Sequence, residues 1–159
     1  MMGSNNKKQT PIPAKKTVVE DAAAAYGRPI LQNFIMKDDY SLVKKAREGI
    51  DTKIFYSLAE QIKMPEKTLA SVINLSPRTI SNYREQNKDL DANYSEHLLK
   101  IINLYHLGQE IFGSLDEFTF WLQRPFYNST EKPMDLMKTV GGVNIIAQEV
   151  EKLAQGYPL

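Results

Sequence analysis

The sequence predicts an all-α fold, in which a helix-turn-helix domain is joined by a long helix to a small second helical domain. Apolar residues recur at spacings of three and four along most of the chain, as on one face of an α-helix, and they mark about eight helices. Serine, proline and glycine stand between these segments, where helices begin and end. No β-branched run alternates with period two, so no sheet is expected.

Composition and charge narrow the class of protein. The 159 residues include no cysteine, which excludes disulfides, thiol nucleophiles and zinc–cysteine sites. No apolar run reaches the roughly 20 residues of a membrane span and no secretory signal is evident, so a cytoplasmic protein without a membrane partner is expected. Residues 1–50 hold nine basic and five acidic groups, whereas 107–159 hold four and seven. The basic front favours a nucleic-acid partner, although an ordinary solvated surface explains the asymmetry equally well.

Residues 1–37 are predicted to be a flexible basic arm followed by a short helix. The first 19 residues are polar, include four lysines and contain no acid. An apolar group with helical spacing follows: Ile30, Leu31, Phe34 and Ile35. Two core helices are expected after Asp38, and the arm is as easily a plain tail as a DNA contact.

A helix-turn-helix is predicted over residues 66–86. Its first helix starts at Pro65, and its second has Ser76 as N-cap with Pro77 next. Small Ala70 stands where two steeply crossed helices touch, and Asn74 occupies the turn, where a left-handed backbone is needed. Two apolar residues complete the pattern on the inner face of the second helix: Ile80 and Tyr83. A plain αα-hairpin with a polar outer face is the structural alternative.

The outward residues of this second helix are of the types that contact DNA. Arginine bonds guanine, asparagine bonds adenine, and serine or threonine contacts bases or phosphates. The helix start also offers amides to a phosphate. The candidate DNA-binding residues are Ser76, Arg78, Thr79, Ser81, Asn82, Arg84 and Lys88. Acidic neighbours offset their charge, so a homodimer or the basic arm is expected to add phosphate contacts. The pattern leaves open whether Asn82 or Tyr83 faces the groove.

No catalytic constellation is evident, so we predict no enzyme activity, no metal and no cofactor. His97 and His106 lie nine residues apart on one helix, too far for a shared metal site. The paired acids at 38–39 and 116–117 fit helix starts, where carboxylates interact with the helix dipole.

Behind the helix-turn-helix, the pattern predicts a long helix ending at Gly113 and a second opened by the capping box of Ser114 and Glu117. A short helix begins at Pro133, Gly141-Gly142 forms a turn, and a last helix ends at Gly156. Three aromatic residues are expected in the core because of their helical spacing: Phe118, Phe120 and Trp121.

The order of segments from about residue 52 to 159 resembles the Xre/MbcA/ParS antitoxin family. The resemblance rests on His106-Leu107-Gly108-Gln109-Glu110-Ile111-Phe112-Gly113, Phe120-Trp121-Leu122-Gln123-Arg124-Pro125, Pro133-Met134-Asp135-Leu136-Met137, Thr139 and Gly156. Two departures are Tyr127-Asn128-Ser129-Thr130, where Leu-Gly-Gly is common, and Leu136-Met137 in place of Leu-Leu.

The resemblance implies an antitoxin with a DNA-binding domain at 38–106 and a C-terminal toxin-binding domain at 107–159. Its partner would be a RES-domain toxin, an NAD-consuming or ADP-ribosylating enzyme. The antitoxin would form a homodimer within a hetero-oligomeric complex and repress its own operon on double-stranded operator DNA. The implied toxin-binding residues are Glu149, Lys152, Gln155, Gly156, Tyr157, Pro158 and Leu159. Two alternatives remain: a frayed terminus, and a stand-alone dimeric transcriptional repressor that uses the rear domain only to dimerise.

Overall fold

A computed structural model describes residues 30–156, and within them the chain is entirely helical apart from turns and loops. The all-α prediction is therefore confirmed. The described helices are α1 (Ile30–Asn33), α2 (Asp39–Glu48), α3 (Thr52–Gln61), α4 (Glu66–Val72), α5 (Pro77–Glu85), α6 (Ala92–Phe112), α7 (Leu115–Leu122), α8 (Pro133–Leu136) and α9 (Val140–Ala154). None of them combines the length and apolar content needed to cross a bilayer.

The long helix α6 supports four of the other described helices. Helices α1, α2, α7 and α9 all pack against it. Its buried residues lie on more than one side, which is why its apolar pattern is less one-sided than that of a surface helix. One apolar core runs from α1 to α9. The predicted boundary between residues 106 and 107 falls inside α6, and the division into two domains stays a prediction.

The front of the described chain docks onto α6 through α1 and α2. Leu31 of the short predicted helix is 1% exposed, and Asn103 of α6 bonds both backbone groups of Met36, at 3.1 and 3.3 Å. Asp38 caps α2 by accepting from the Ser41 amide at 2.7 Å, and the hydrogen bonds from Ser41 lower the pKa of that carboxyl. The short predicted helix is thus a docked element, whereas the predicted basic arm lies outside the described residues.

Helix α7 is held against α6 by an aromatic cluster centred on Phe118. Gly113 ends α6 in the left-handed conformation with φ 84°, and Ser114 caps α7 by accepting from the Glu117 amide at 3.1 Å. A side chain on Gly108 would overlap the Phe118 ring, so this glycine permits the close approach of the two helices. The core prediction is right for Phe118 but wrong for Phe120, which is 59% exposed because it lies on the outer side of this short helix.

The start of α9 corrects a second expectation. Gly141 and Gly142 do not form a turn but lie in the first turn of α9, which Thr139 caps by accepting from the Gly142 amide at 2.9 Å. A side chain on Gly142 would overlap the Leu136 carbonyl oxygen, so glycine is required by close packing and not by a bend. Pro65 is a smaller correction, since it is the N-cap of α4 and not its first helical residue.

Candidate nucleic-acid interface

Helices α4 and α5 form a helix-turn-helix whose inner side is packed on the core. Asn74 adopts the left-handed conformation in the turn, with φ 63°, as the pattern predicts. The Leu75 amide donates to the Ala70 carbonyl at 2.9 Å, which closes the end of α4. Ala70 is fully buried and Ile80 is 2% exposed, so the small and apolar positions of the motif have the packing roles expected of them.

The start of α5 is capped by its own serine. The Ser76 hydroxyl accepts from the Thr79 amide at 3.0 Å and lies 2.7 Å from the Thr79 hydroxyl. Pro77 follows as the first helical residue. Because proline has no N–H and Ser76 satisfies the Thr79 amide, Arg78 carries the amide best placed to meet an anion at this end. The structure therefore assigns Ser76 a capping role, and its DNA contact stays a prediction.

The exposed face of α5 carries three of the candidate DNA-binding residues. At about 100° per residue, Arg78, Ser81 and Asn82 share the side of the helix opposite Ile80, and all three are exposed. Tyr83 is half-buried against the core, so the helix presents Asn82 and not Tyr83 outward. Glu85 is exposed on the same side and opposes phosphate binding there.

Arg84 lies on the flank of α5 and not on this face. Its guanidinium carbon is 4.5 Å from the centre of the Tyr56 ring, which belongs to α3. Both residues line a shallow depression at the junction of α3, α4 and α5. Acidic and basic side chains also line this depression. The sequence alone did not predict a role for Tyr56, because helical periodicity does not show that α3 places an aromatic ring under this arginine.

Lys88 lies just beyond α5 and is held by two neighbours. Its ammonium group is 4.2 Å from the centre of the Tyr83 ring and 3.9 Å from a carboxylate oxygen of Asp91. The adjacent Tyr83 side chain raises the pKa of Lys88. The lysine is exposed just beyond the end of α5, and its contact with DNA stays a prediction.

The sequence around this motif matches a known domain family. Residues 41–103 match the family model described as the antitoxin Xre-like helix-turn-helix domain. The matched stretch begins inside α2, includes α3 to α5 and ends about half-way along α6. It supports an antitoxin or DNA-binding role for this part of the chain. No curated protein matches the chain.

Behind the Xre-like domain, the residues implied in toxin binding lie at the end of α9 and beyond. Glu149 and Lys152 form an ion pair at 2.6 Å on the helix surface, and Gln155 and Gly156 are exposed at its C-terminus. Gly156 ends the helix with φ 80°, as predicted. The remaining three, Tyr157, Pro158 and Leu159, lie outside the described residues.

Helix α9 has an exposed apolar residue, Ile145, that was not predicted from the sequence. Ile145 is 49% exposed, whereas Val143, Ile146 and Val150 are buried on the opposite side of the helix. Spacings of four and three place Ile145 on the same face as Glu149 and Lys152. The signal for it was present in the sequence, because Ile145 is an apolar residue outside the buried stripe.

Among the described residues, no group of three or more histidine and acidic side chains is placed to hold a metal ion. His97 is instead a packing residue of the core. Its Nε2 lies 2.7 Å from the Met137 carbonyl oxygen, and the side chain is buried between α6 and the connection that leads to α9.

Proposed function

We propose that this protein is the antitoxin of a toxin–antitoxin system, which binds operator DNA through α5 and neutralises a RES-domain toxin through α9 and the tail that follows it. The match of residues 41–103 to the antitoxin Xre-like helix-turn-helix domain is the observation that carries this proposal. Repression of its own operon as part of a homodimer, within a complex with the toxin, is the corresponding regulatory role.

The exposed face of α5 supports the DNA half of the proposal. Arg78 and Asn82 lie one helical turn apart and have the chemistry to read guanine and adenine in the major groove. Arg84 and Lys88 flank this face and are each stacked on a tyrosine ring. Because those rings restrain their position, we assign them to backbone phosphates, which fix the orientation of the helix without reading sequence.

The outer face of α9 supports the second part of the proposal, the binding of a protein partner. Ile145 gives it an apolar centre, and the Glu149–Lys152 ion pair borders that centre with charge. Protein–protein contacts commonly have an apolar centre with a polar rim, and this face has that arrangement on a small scale. The acidic excess of residues 107–159 favours a partner other than nucleic acid for this end of the chain.

Co-expression with the product of the neighbouring gene tests the proposal. Host growth is scored with that gene alone and with both genes, and the two proteins are then co-purified. The expected result is toxicity of the neighbour alone, rescue by this chain and a stable complex. Absence of toxicity and of a complex would contradict the antitoxin assignment and favour the stand-alone repressor.

A truncation separates the two halves. Deletion of residues 156–159 is expected to abolish rescue while binding to the DNA upstream of the gene is retained, because these residues lie beyond α9. Arg78→Ala is the matched variant with the opposite expectation: rescue persists and DNA binding weakens. Full rescue by the truncated chain would reject the assignment of the tail.

A further inference from the structure

We infer that Asn74 is a positioning residue that couples the partner-binding helix α9 to the DNA-binding helix α5. This inference rests on the proposed function, since it concerns how occupation of one site regulates the other. Asn74 lies in the turn of the helix-turn-helix, two residues before the N-cap of α5. Its side-chain Nδ2 donates to the carbonyl oxygen of Lys138, 64 residues away in the chain, at 3.0 Å. Lys138 directly precedes Thr139, the N-cap of α9.

The connection between α8 and α9 is held at two consecutive carbonyl groups. The Met137 oxygen lies 2.7 Å from His97 Nε2 in the core, and the Lys138 oxygen accepts from Asn74. The first contact fixes the connection to α6, because both His97 and Met137 are buried. The second contact joins this connection to the turn of the helix-turn-helix. A tilt of α9 about the buried anchor would therefore move the Lys138 carbonyl relative to the turn.

The turn has little freedom to absorb such a movement. Asn74 already holds a left-handed backbone, and the amides of Asn74 and Leu75 are bonded to Ser71 and Ala70 of α4, at 3.1 and 2.9 Å. A displacement of the Asn74 side chain would therefore move the start of α5. Ser76 and Arg78 belong to this part of the helix. Partner binding on the outer face of α9 would in this way alter the presentation of Arg78 to DNA. Coupling of this kind is reciprocal, so operator DNA would also change the affinity for the partner.

A double-mutant cycle on the full chain tests the coupling without the partner. Asn74→Gly removes the side-chain carboxamide but keeps the left-handed backbone, which glycine adopts freely. Thr139→Ala removes the cap of α9 and loosens its first turn. Asn128→Gly is the matched control, because Asn128 has the same left-handed backbone, with φ 55°, in the loop before α8.

Amide hydrogen exchange is measured first on these variants. In the natural background, Thr139→Ala is expected to raise exchange both in the first turn of α9 and in the turn at residues 74–76. In the Asn74→Gly background the increase should stay within α9, whereas in the Asn128→Gly background it should spread as before. Equal spreading with and without the Asn74 side chain would overturn the inference.

The affinity for a duplex containing the DNA upstream of the gene is measured next. Thr139→Ala is expected to change it about fivefold in the natural background, the factor that one hydrogen bond of typical net strength is worth. The change should vanish in the Asn74→Gly background. Additive effects of the two substitutions would refute the coupling. If no variant binds the duplex while exchange still spreads through Asn74, the proposed DNA-binding function fails and the coupling stands.

Discussion

Substitution of Arg78 by alanine tests whether the exposed face of α5 reads bases. Arg78 lies on the exposed side of the helix, so its removal should change the free energy of unfolding by no more than about 0.5 kcal/mol. A bidentate arginine–guanine pair is worth about 1–3 kcal/mol. The operator affinity should therefore fall about 5- to 160-fold at constant salt. The loss should be much smaller on DNA of unrelated sequence.

Two further variants give this prediction its controls. Glu85→Gln removes a negative charge from the same face and should strengthen binding to related and unrelated DNA alike. Arg124→Ala removes an exposed arginine that stacks on Phe120, beyond α7, and should leave the affinity unchanged. Fluorescence anisotropy with a labelled upstream duplex and a scrambled duplex measures all three. Natural affinity and discrimination in a folded Arg78→Ala protein would refute the base-reading role.

Three other predictions concern stability and the partner. Burial raises the pKa of Tyr105, so the stability should fall as the pH rises above about 10, where the unfolded hydroxyl ionises first; Tyr105→Phe should flatten this slope in urea unfolding at alkaline pH. Gly108→Ala should cost about 1–3 kcal/mol or more by displacing Phe118, whereas Gly141→Ala, which meets open space, should be neutral or stabilising in the same assay. Ile145→Asp should weaken co-purification of the neighbouring gene product without altering the melting temperature, and natural recovery of the complex would remove α9 from the interface.

Local signals predicted most helix boundaries because capping depends on neighbouring residues alone. Ser76 with Pro77, Gly113 with Ser114, and Gly156 all mark the ends that the structure shows. The same reasoning misplaced Gly141-Gly142, since a pair of glycines has two physical explanations. Only the close approach of the Leu136 carbonyl, a contact between separate elements, distinguishes a packed helix start from a turn.

The order of residues thus determined the all-α class, the helix-turn-helix and the set of polar side chains on α5, because periodicity and capping act within one helix. Tertiary structure decided which of those side chains are presented outward. It placed Arg84 over Tyr56, turned Phe120 to the surface, and brought Asn74 to Lys138. These outcomes depend on how elements distant in sequence pack against one another, and that packing leaves no periodic signal in the chain.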